Sequence, residues 1–153
     1  MVQYVYDTDG RRIQKIGPEG TTHYYLNGSA VIAQRTDEGE RMDFLYDDKG
    51  NVFALEYEGS LYFYRLNLQG DVLGIINSDG KEVVTYSYDS WGRLLTTNDN
   101  SGIGLAVKNP FRYRSYYYDE ETGFYYLNER YYDPEVKRII SADANINLMM
   151  SAE

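Results

Sequence analysis

One short phrase returns along this 153-residue chain and constrains its fold more than any other feature: aromatic, any residue, aromatic, Asp, two spacers, Gly, a polar residue and an aliphatic. It runs from Tyr4 to Ile13 with its turn at Asp7–Gly10, returns at Phe44–Val52 with Asp47 and Gly50, and again at Tyr86–Leu94 with Asp89 and Gly92. A weaker copy at Tyr64–Val72 keeps Asn67 in the Asp place and retains Gly70. A degenerate copy with a shortened turn sits at Tyr24–Gly28. The residue before the Asp or Asn falls at Tyr6, Leu26, Tyr46, Leu66 and Tyr88, at intervals of 20, 20, 20 and 22 residues. Such self-similarity marks an architecture made by stacking one small unit.

The local chemistry of the phrase specifies that unit. Side chains alternate along a strand, so Tyr-x-Tyr puts both rings on one face. The Asp side chain accepts hydrogen bonds from backbone amides just ahead of it, and Gly supplies the positive φ that closes the turn. A short loop ending in Gly signals a hairpin with a type I turn and a Gly bulge. The pairs Arg12-Ile13, Asn51-Val52 and Arg93-Leu94 then restart a strand. Each repeat is expected to be a β-hairpin, and the chain all-β, a curled sheet of stacked antiparallel hairpins.

These phrases resemble the YD repeats of the Rhs family, the rearrangement-hotspot proteins of bacteria. The resemblance strengthens toward the C-terminus. There Asn109-Pro110-Phe111-Arg112-Tyr113-Arg114-Ser115-Tyr116-Tyr117-Tyr118-Asp119 leads through Thr122-Gly123-Phe124-Tyr125-Tyr126-Leu127 to Arg130-Tyr131-Tyr132-Asp133-Pro134. That run is similar to the Rhs repeat-associated core signature. The chain therefore divides into YD-repeat hairpins over 1–95, a loop over 96–108, the core signature over 109–141 and a poorly structured tail over 142–153. Thr96–Gly104 reads as loop from its polar, Gly-containing composition, and the resemblance allows a short helical turn near Ile103–Val107. In full-length relatives an aspartate-containing segment beyond this point cleaves the chain and releases a variable toxin domain. Here Ser141-Ala142-Asp143-Ala144 stands in the corresponding place. The cleavage segment and toxin are expected to be missing, so neither self-cleavage nor toxicity is carried over.

Composition narrows the partners. A formal net charge of −9 disfavours a nucleic-acid backbone, whose affinity comes from Lys and Arg neutralising phosphates, and equally disfavours an anionic membrane surface. The sequence holds no apolar run of the length that a membrane-spanning helix needs. No Cys is present, which removes disulfides and Cys-based metal sites. The 18 Tyr against 5 Phe and 1 Trp suit a wall with one wetted face, because each buried Tyr hydroxyl needs a partner. Met1-Val2-Gln3 runs directly into the first repeat, without a secretory signal or a polar capping unit. The chain therefore reads as part of a longer protein.

The candidate site residues are mostly explained by structure. Asp7-Thr8-Asp9-Gly10 and Asp47-Asp48-Lys49-Gly50 lack the ligand set of a calcium loop. His23, the single histidine, reads as a strand residue beside Tyr24. Asp37-Glu38 and Glu120-Glu121 read as water-facing turn acids rather than the two separated acids of a glycosidase. The turn at Asp119–Gly123 is taken as a further repeat turn. The clusters Tyr116-Tyr117-Tyr118, Phe124-Tyr125-Tyr126 and Tyr131-Tyr132 put rings on both faces of their strands, so Tyr116, Tyr118, Tyr125 and Tyr131 are candidates for a cross-strand ladder or a binding face. Arg112, Arg114 and Arg130 are expected to stack on these rings or pair with acids.

The resemblance implies a hollow shell around a cargo polypeptide, often a toxin, in a secreted or cell-surface protein. This chain would be a structural piece of that shell, with no catalysis, cofactor or metal. Its open sheet edges would pair with a second copy or a longer Rhs chain. Two rivals remain. One is a carbohydrate- or cell-surface-binding module that uses exposed Tyr faces. The other, disfavoured, is a remnant of the self-cleaving enzyme.

Overall fold

A computed structural model describes residues 2–141. The first ten strands form one antiparallel sheet in chain order. β1 (Gln3–Tyr6) pairs with β2 (Arg12–Gly17), β3 (Gly20–Asn27) with β4 (Ala30–Thr36), and β5 (Arg41–Tyr46) with β6 (Val52–Tyr57). β7 (Ser60–Leu66) pairs with β8 (Val72–Ile76), and β9 (Glu82–Tyr88) with β10 (Leu94–Asp99). These are five hairpins, and their turns line one edge of the sheet.

Turn chemistry is repeated almost unchanged. In the first, Asp7 Oδ1 accepts from the amides of Asp9 and Arg11, both at 2.9 Å, while Gly10 N donates to the Asp7 carbonyl at 3.0 Å. Asp47, Asn67 and Asp89 do the same in the third, fourth and fifth. The opposite edge has a related turn at Asn77–Gly80, whose Asn77 Oδ1 accepts from Asp79 and Lys81, each at 3.0 Å. It falls between repeats, so the spacing of the markers does not reveal it.

Every hairpin also shifts register beside its turn, leaving Ile13, Ile32, Phe53, Leu73 and Leu95 as the extra residues. A β-bulge bends its strand and increases the right-handed twist. Five bulges on one edge curl the sheet. Its inward residues, among them Met42, Phe44, Leu55, Tyr64, Val72, Ile75, Val84 and Tyr86, pack on Leu105, Ala106, Phe111 and Tyr117.

Composition reads Thr96–Gly104 as loop, but Thr96–Asp99 continue β10, pairing with Ser87 through Val84. The side chains from Leu95 to Asp99 are all exposed, and polarity cannot separate such an edge strand from a loop. One helical turn follows, α1 (Leu105–Lys108), which buries Leu105 and Ala106 and ends in a salt bridge from Lys108 to Glu40 at 2.9 Å. β11 (Tyr117–Asp119), β12 (Phe124–Tyr126), β13 (Arg130–Asp133) and β14 (Arg138–Ser141) then form a second, four-stranded antiparallel sheet. The tail expected over 142–153, with the Ala142-Asp143 segment, lies outside the described residues.

The second sheet is wedged inside the curl of the first. Register puts Tyr117, Tyr126 and Tyr131 on one of its faces and Tyr118, Tyr125 and Tyr132 on the other. The first face meets the opening hairpins, with Tyr126 and Tyr131 around Arg12 and with Tyr117 against Tyr24. The second meets the fifth hairpin, where Tyr125 and Tyr132 bond the Asp89–Gly92 turn.

Candidate functional site

The seam between the two sheets holds the chemistry of the molecule. At its start Arg12 points inward from β2 and is 3% exposed, in a chain where most Arg residues face water. Its guanidinium grips Asp119 of β11 with two bonds, Nη1 to Oδ2 at 2.8 Å and Nη2 to Oδ1 at 3.0 Å. Lys15 Nζ adds a bond to Asp119 Oδ1 at 3.3 Å and one to Glu121 at 3.0 Å. The Arg12 guanidinium carbon lies 4.4–5.2 Å from the ring centroids of Tyr4, Tyr24, Tyr117 and Tyr126. Burial acts to raise the Asp119 pKa, but the Arg12 and Lys15 charges outweigh it and hold the carboxyl below its ordinary value. A buried bidentate pair of this kind fixes geometry more than it adds stability, because desolvation offsets much of the attraction.

At the far end, three tyrosine hydroxyls close over the fifth turn. Tyr113 donates to the Ser90 carbonyl at 3.2 Å, Tyr125 to Gly92 at 2.9 Å, and Tyr132 to Trp91. Gly92 is buried with φ 95°, and a Cβ there would stand 2.5 Å from the Tyr113 ring. Glycine is required here both by conformation and by contact. Between the two ends sits a polar knot. Buried Asn109 accepts from the Tyr64 hydroxyl at 2.6 Å and donates to the Phe111 carbonyl at 2.7 Å. Arg112, 2% exposed, donates to the carbonyls of Ala106, Val107 and Asn109 and to Glu120 at 2.6 Å. It satisfies the carbonyls that end α1, groups that a helix leaves unpaired.

The predicted residues are distributed as follows. Asp7, Asp47, Asn67 and Asp89 are in the turns, each followed by its positive-φ glycine, Gly10, Gly50, Gly70 or Gly92. Asp119 is a correction: its carbonyl accepts from Gly123 N at 2.8 Å, but its side chain belongs to the buried ion cluster and not to the turn. Glu120 and Glu121 are also more than water-facing turn acids, since they pair with Arg112 and Lys15. Tyr125 and Tyr131 are fully buried and present no face to a ligand. Tyr118 is half-buried and its ring lies 4.6 Å from the Arg112 guanidinium carbon. Tyr116 is half-buried and lines a cleft. His23 bridges Gln14 at 3.2 Å and Asp37 at 2.8 Å on the strand surface. Arg114 lies beside Asp71, while Arg130 is exposed.

Arg12 and Lys15 were not legible as partners of Asp119, because they lie 107 and 104 residues away from it. The bulge at Ile13 makes Arg12 and Lys15 share the inward face despite their odd spacing, a register that the sequence does not show. Among the described residues no group of three or more His, Cys, Asp or Glu could hold a metal ion. No helix among them is long and apolar enough to cross a membrane.

One stretch of the seam is open. A cleft of about 620 Å³ runs beside the second, third and fourth turns. Its floor includes Val31, Val52, Leu66 and Phe111, and Ser29, Asp47, Gln69 and Asn128 stand around it. Arg114, Ser115 and Asn128 in its walls have positive φ of 56°, 57° and 70°. Burial pushes the nearby Tyr46 hydroxyl up to about 12, and it donates to the Val31 carbonyl at 2.7 Å.

A family model described as Teneurin YD-shell matches residues 1–152. The tRNA nuclease WapA of Bacillus subtilis strain 168 is 37% identical over 143 residues, which cover 92% of this chain and 6% of that protein. The double-stranded DNA deaminase toxin A of Burkholderia cenocepacia is 39% identical over 57 residues, 37% of this chain and 4% of that protein. The chain thus spans a small fraction of the length of these relatives. Among solved structures, the crystal structure of TcdB2-TccC3-Cdc42 superposes with a TM-score of 0.72 at 21% identity, covering 94% of this chain and 8% of that one. The Photorhabdus luminescens Tc holotoxin pore gives 0.71 at 22% identity over the same shares. At these identities the likeness is one of fold.

Proposed function

Because this chain belongs to the teneurin YD-shell family, we propose that it serves as a structural piece of a YD-repeat shell and has no catalysis of its own. The repeat sheet is the wall, and the second sheet is a wedge that sets the curl of that wall and fills its concave side. The observation that carries this reading is the two-faced grip of the wedge: Arg12 of the first hairpin holds Asp119, and the fifth turn is bonded by Tyr113, Tyr125 and Tyr132. Among the described residues every buried side-chain polar group of the seam has a hydrogen-bond partner except the Tyr4 hydroxyl. Buried titratable groups that pair with each other across a seam suit architecture better than turnover.

In the parent protein the shell would enclose a cargo polypeptide, in a secreted or surface location. The names of the relatives support this, since WapA is a tRNA nuclease and another relative is a deaminase toxin, each far longer than this chain. Among the described residues the outer edges of β1 and β10 have no partner strand, and they would meet neighbouring strands of a longer chain or a second copy. The carbohydrate-binding alternative loses two of its four rings, as Tyr125 and Tyr131 are buried.

The test is to incubate the purified chain with total tRNA and follow both components. The RNA is expected to stay intact and the polypeptide to stay at 17.8 kDa by mass spectrometry. Cleaved RNA, or a chain shortened without added protease, would sink the non-catalytic reading.

A further inference from the structure

The five hairpin turns are equivalent in sequence but not in what covers them. A Cβ placed on Gly10 would stand 3.3 Å from Glu129 Oε1, one on Gly70 4.0 Å from the Arg114 backbone, and one on Gly92 2.5 Å from the Tyr113 ring. At Gly28 and Gly50 nothing lies within 4 Å of that position. The first, fourth and fifth turns are therefore covered by the C-terminal segment, while the second and third are bare. The cleft of about 620 Å³ lies beside these bare turns and ends against the segment that covers the fourth.

The covered turns show what chemistry a turn of this kind accepts. Ser115 Oγ donates to the Gly70 carbonyl at 2.7 Å, and Arg114 N donates to Asp71 Oδ1 at 2.8 Å. On the fifth turn the donors are the hydroxyls of Tyr113, Tyr125 and Tyr132. In each case an irregular or extended stretch of polypeptide brings hydroxyls to turn carbonyls. Among the described residues the carbonyls of Asp48, Lys49 and Gly50 in the third turn accept no hydrogen bond. Below them Val31, Val52 and Leu66 offer an apolar floor, and Asp47 adds a negative charge.

We propose that this cleft is a docking site for an extended segment of a partner polypeptide, one that carries Tyr or Ser hydroxyls, aromatic rings and Arg. The cleft is continuous with the seam between the sheets, and the segment would do for turns two and three what Tyr113–Ser115 does for turns four and five. The chain's net charge of −9 favours a cationic segment. A volume of this size is within the range of well-formed ligand sites. The proposal rests on turn geometry and holds whatever the shell encloses.

The probe is a capped synthetic peptide with the sequence of Phe111–Tyr117, titrated into the full isotope-labelled chain and followed by NMR. Saturable shifts are expected at Gly28, Ser29, Gly50 and Phe53. Ser29→Trp, an exposed turn substitution that fills the cleft, should weaken binding about ten-fold or more. Ser78→Trp, on the opposite edge, should leave it unchanged. A peptide with Phe and Ala in place of its Tyr and Ser should bind several-fold more weakly. No saturable shift, or binding that survives Ser29→Trp, would overturn the site. Shifts centred on Gly70 and Gly92 would also overturn it, since they would mean that the peptide displaces the chain's own segment. If the same residues shift on raising protein concentration without peptide, the occupant is a second copy and the proposal fails.

Discussion

Asp119 is the residue on which the seam turns. It is fully buried, bonded twice by Arg12 and once by Lys15. Replacing it by Asn would leave buried Arg12 facing a neutral partner and Lys15 with Glu121 alone. Removing one member of a buried pair costs about 3–5 kcal/mol, so Asp119→Asn should lower the urea midpoint steeply at pH 7. The effect carries a pH signature. The folded-state pKa of Asp119 is depressed, so its contribution is full above the unfolded carboxylate value of about 3.9 and is lost as pH falls through the lower folded value. The gap in stability between wild type and Asp119→Asn should therefore narrow below about pH 4. A gap that stayed constant through that acid range would mean that ionisation of Asp119 is not what holds the seam. A smaller effect belongs to Tyr125→Phe, which keeps the ring but removes the bond to the Gly92 carbonyl. Its cost should be about 1 kcal/mol in the same denaturation assay.

At the scale of the hairpin, the turns look alike in sequence and differ in context. Gly50 and Gly92 both have positive φ, 85° and 95°, yet only Gly92 is covered. Gly50→Ala should cost about 1–2 kcal/mol, the penalty of placing a Cβ in the left-handed region. Gly92→Ala must in addition push Tyr113 away from 2.5 Å, so it should cost at least about 1 kcal/mol more and loosen the contacts of Tyr125. Equal losses in parallel melts would contradict the docking of the second sheet on the fifth turn. The hairpins themselves were legible because Asp-x-x-Gly and Tyr-x-Tyr act locally. The edge position of β10 was not, since Thr96–Asp99 carry loop-like residues that pair with β9. Nor was the destination of Asp119. Its place before Glu-Glu-Thr-Gly reads as a turn, and only tertiary contact with β2 shows that its side chain faces inward. The twin roles of adjacent tyrosines were half visible: alternation puts Tyr125 and Tyr126 on opposite faces, but not which hairpin each face meets.

At the scale of the molecule, the central claim is that the C-terminal motif holds the first and fifth hairpins on opposite faces of one small sheet. Eight strand spacings separate the first turn from the fifth, about 38 Å if the ten strands lay flat. With one sheet sandwiched between the two hairpins, at about 10 Å per packed layer, their backbones stand roughly 20 Å apart. The absence of native Cys makes this distance measurable with two introduced labels. Thr8 and Ser90, both exposed in their turns, are the positions. Electron–electron dipolar spectroscopy on the doubly labelled Thr8→Cys, Ser90→Cys chain should give one narrow distribution centred at roughly 20–25 Å. A distribution centred near 38 Å, or spread broadly between the two, would show that the second sheet does not clasp the ends of the first, and the account of the chain as a wedged wall would fall.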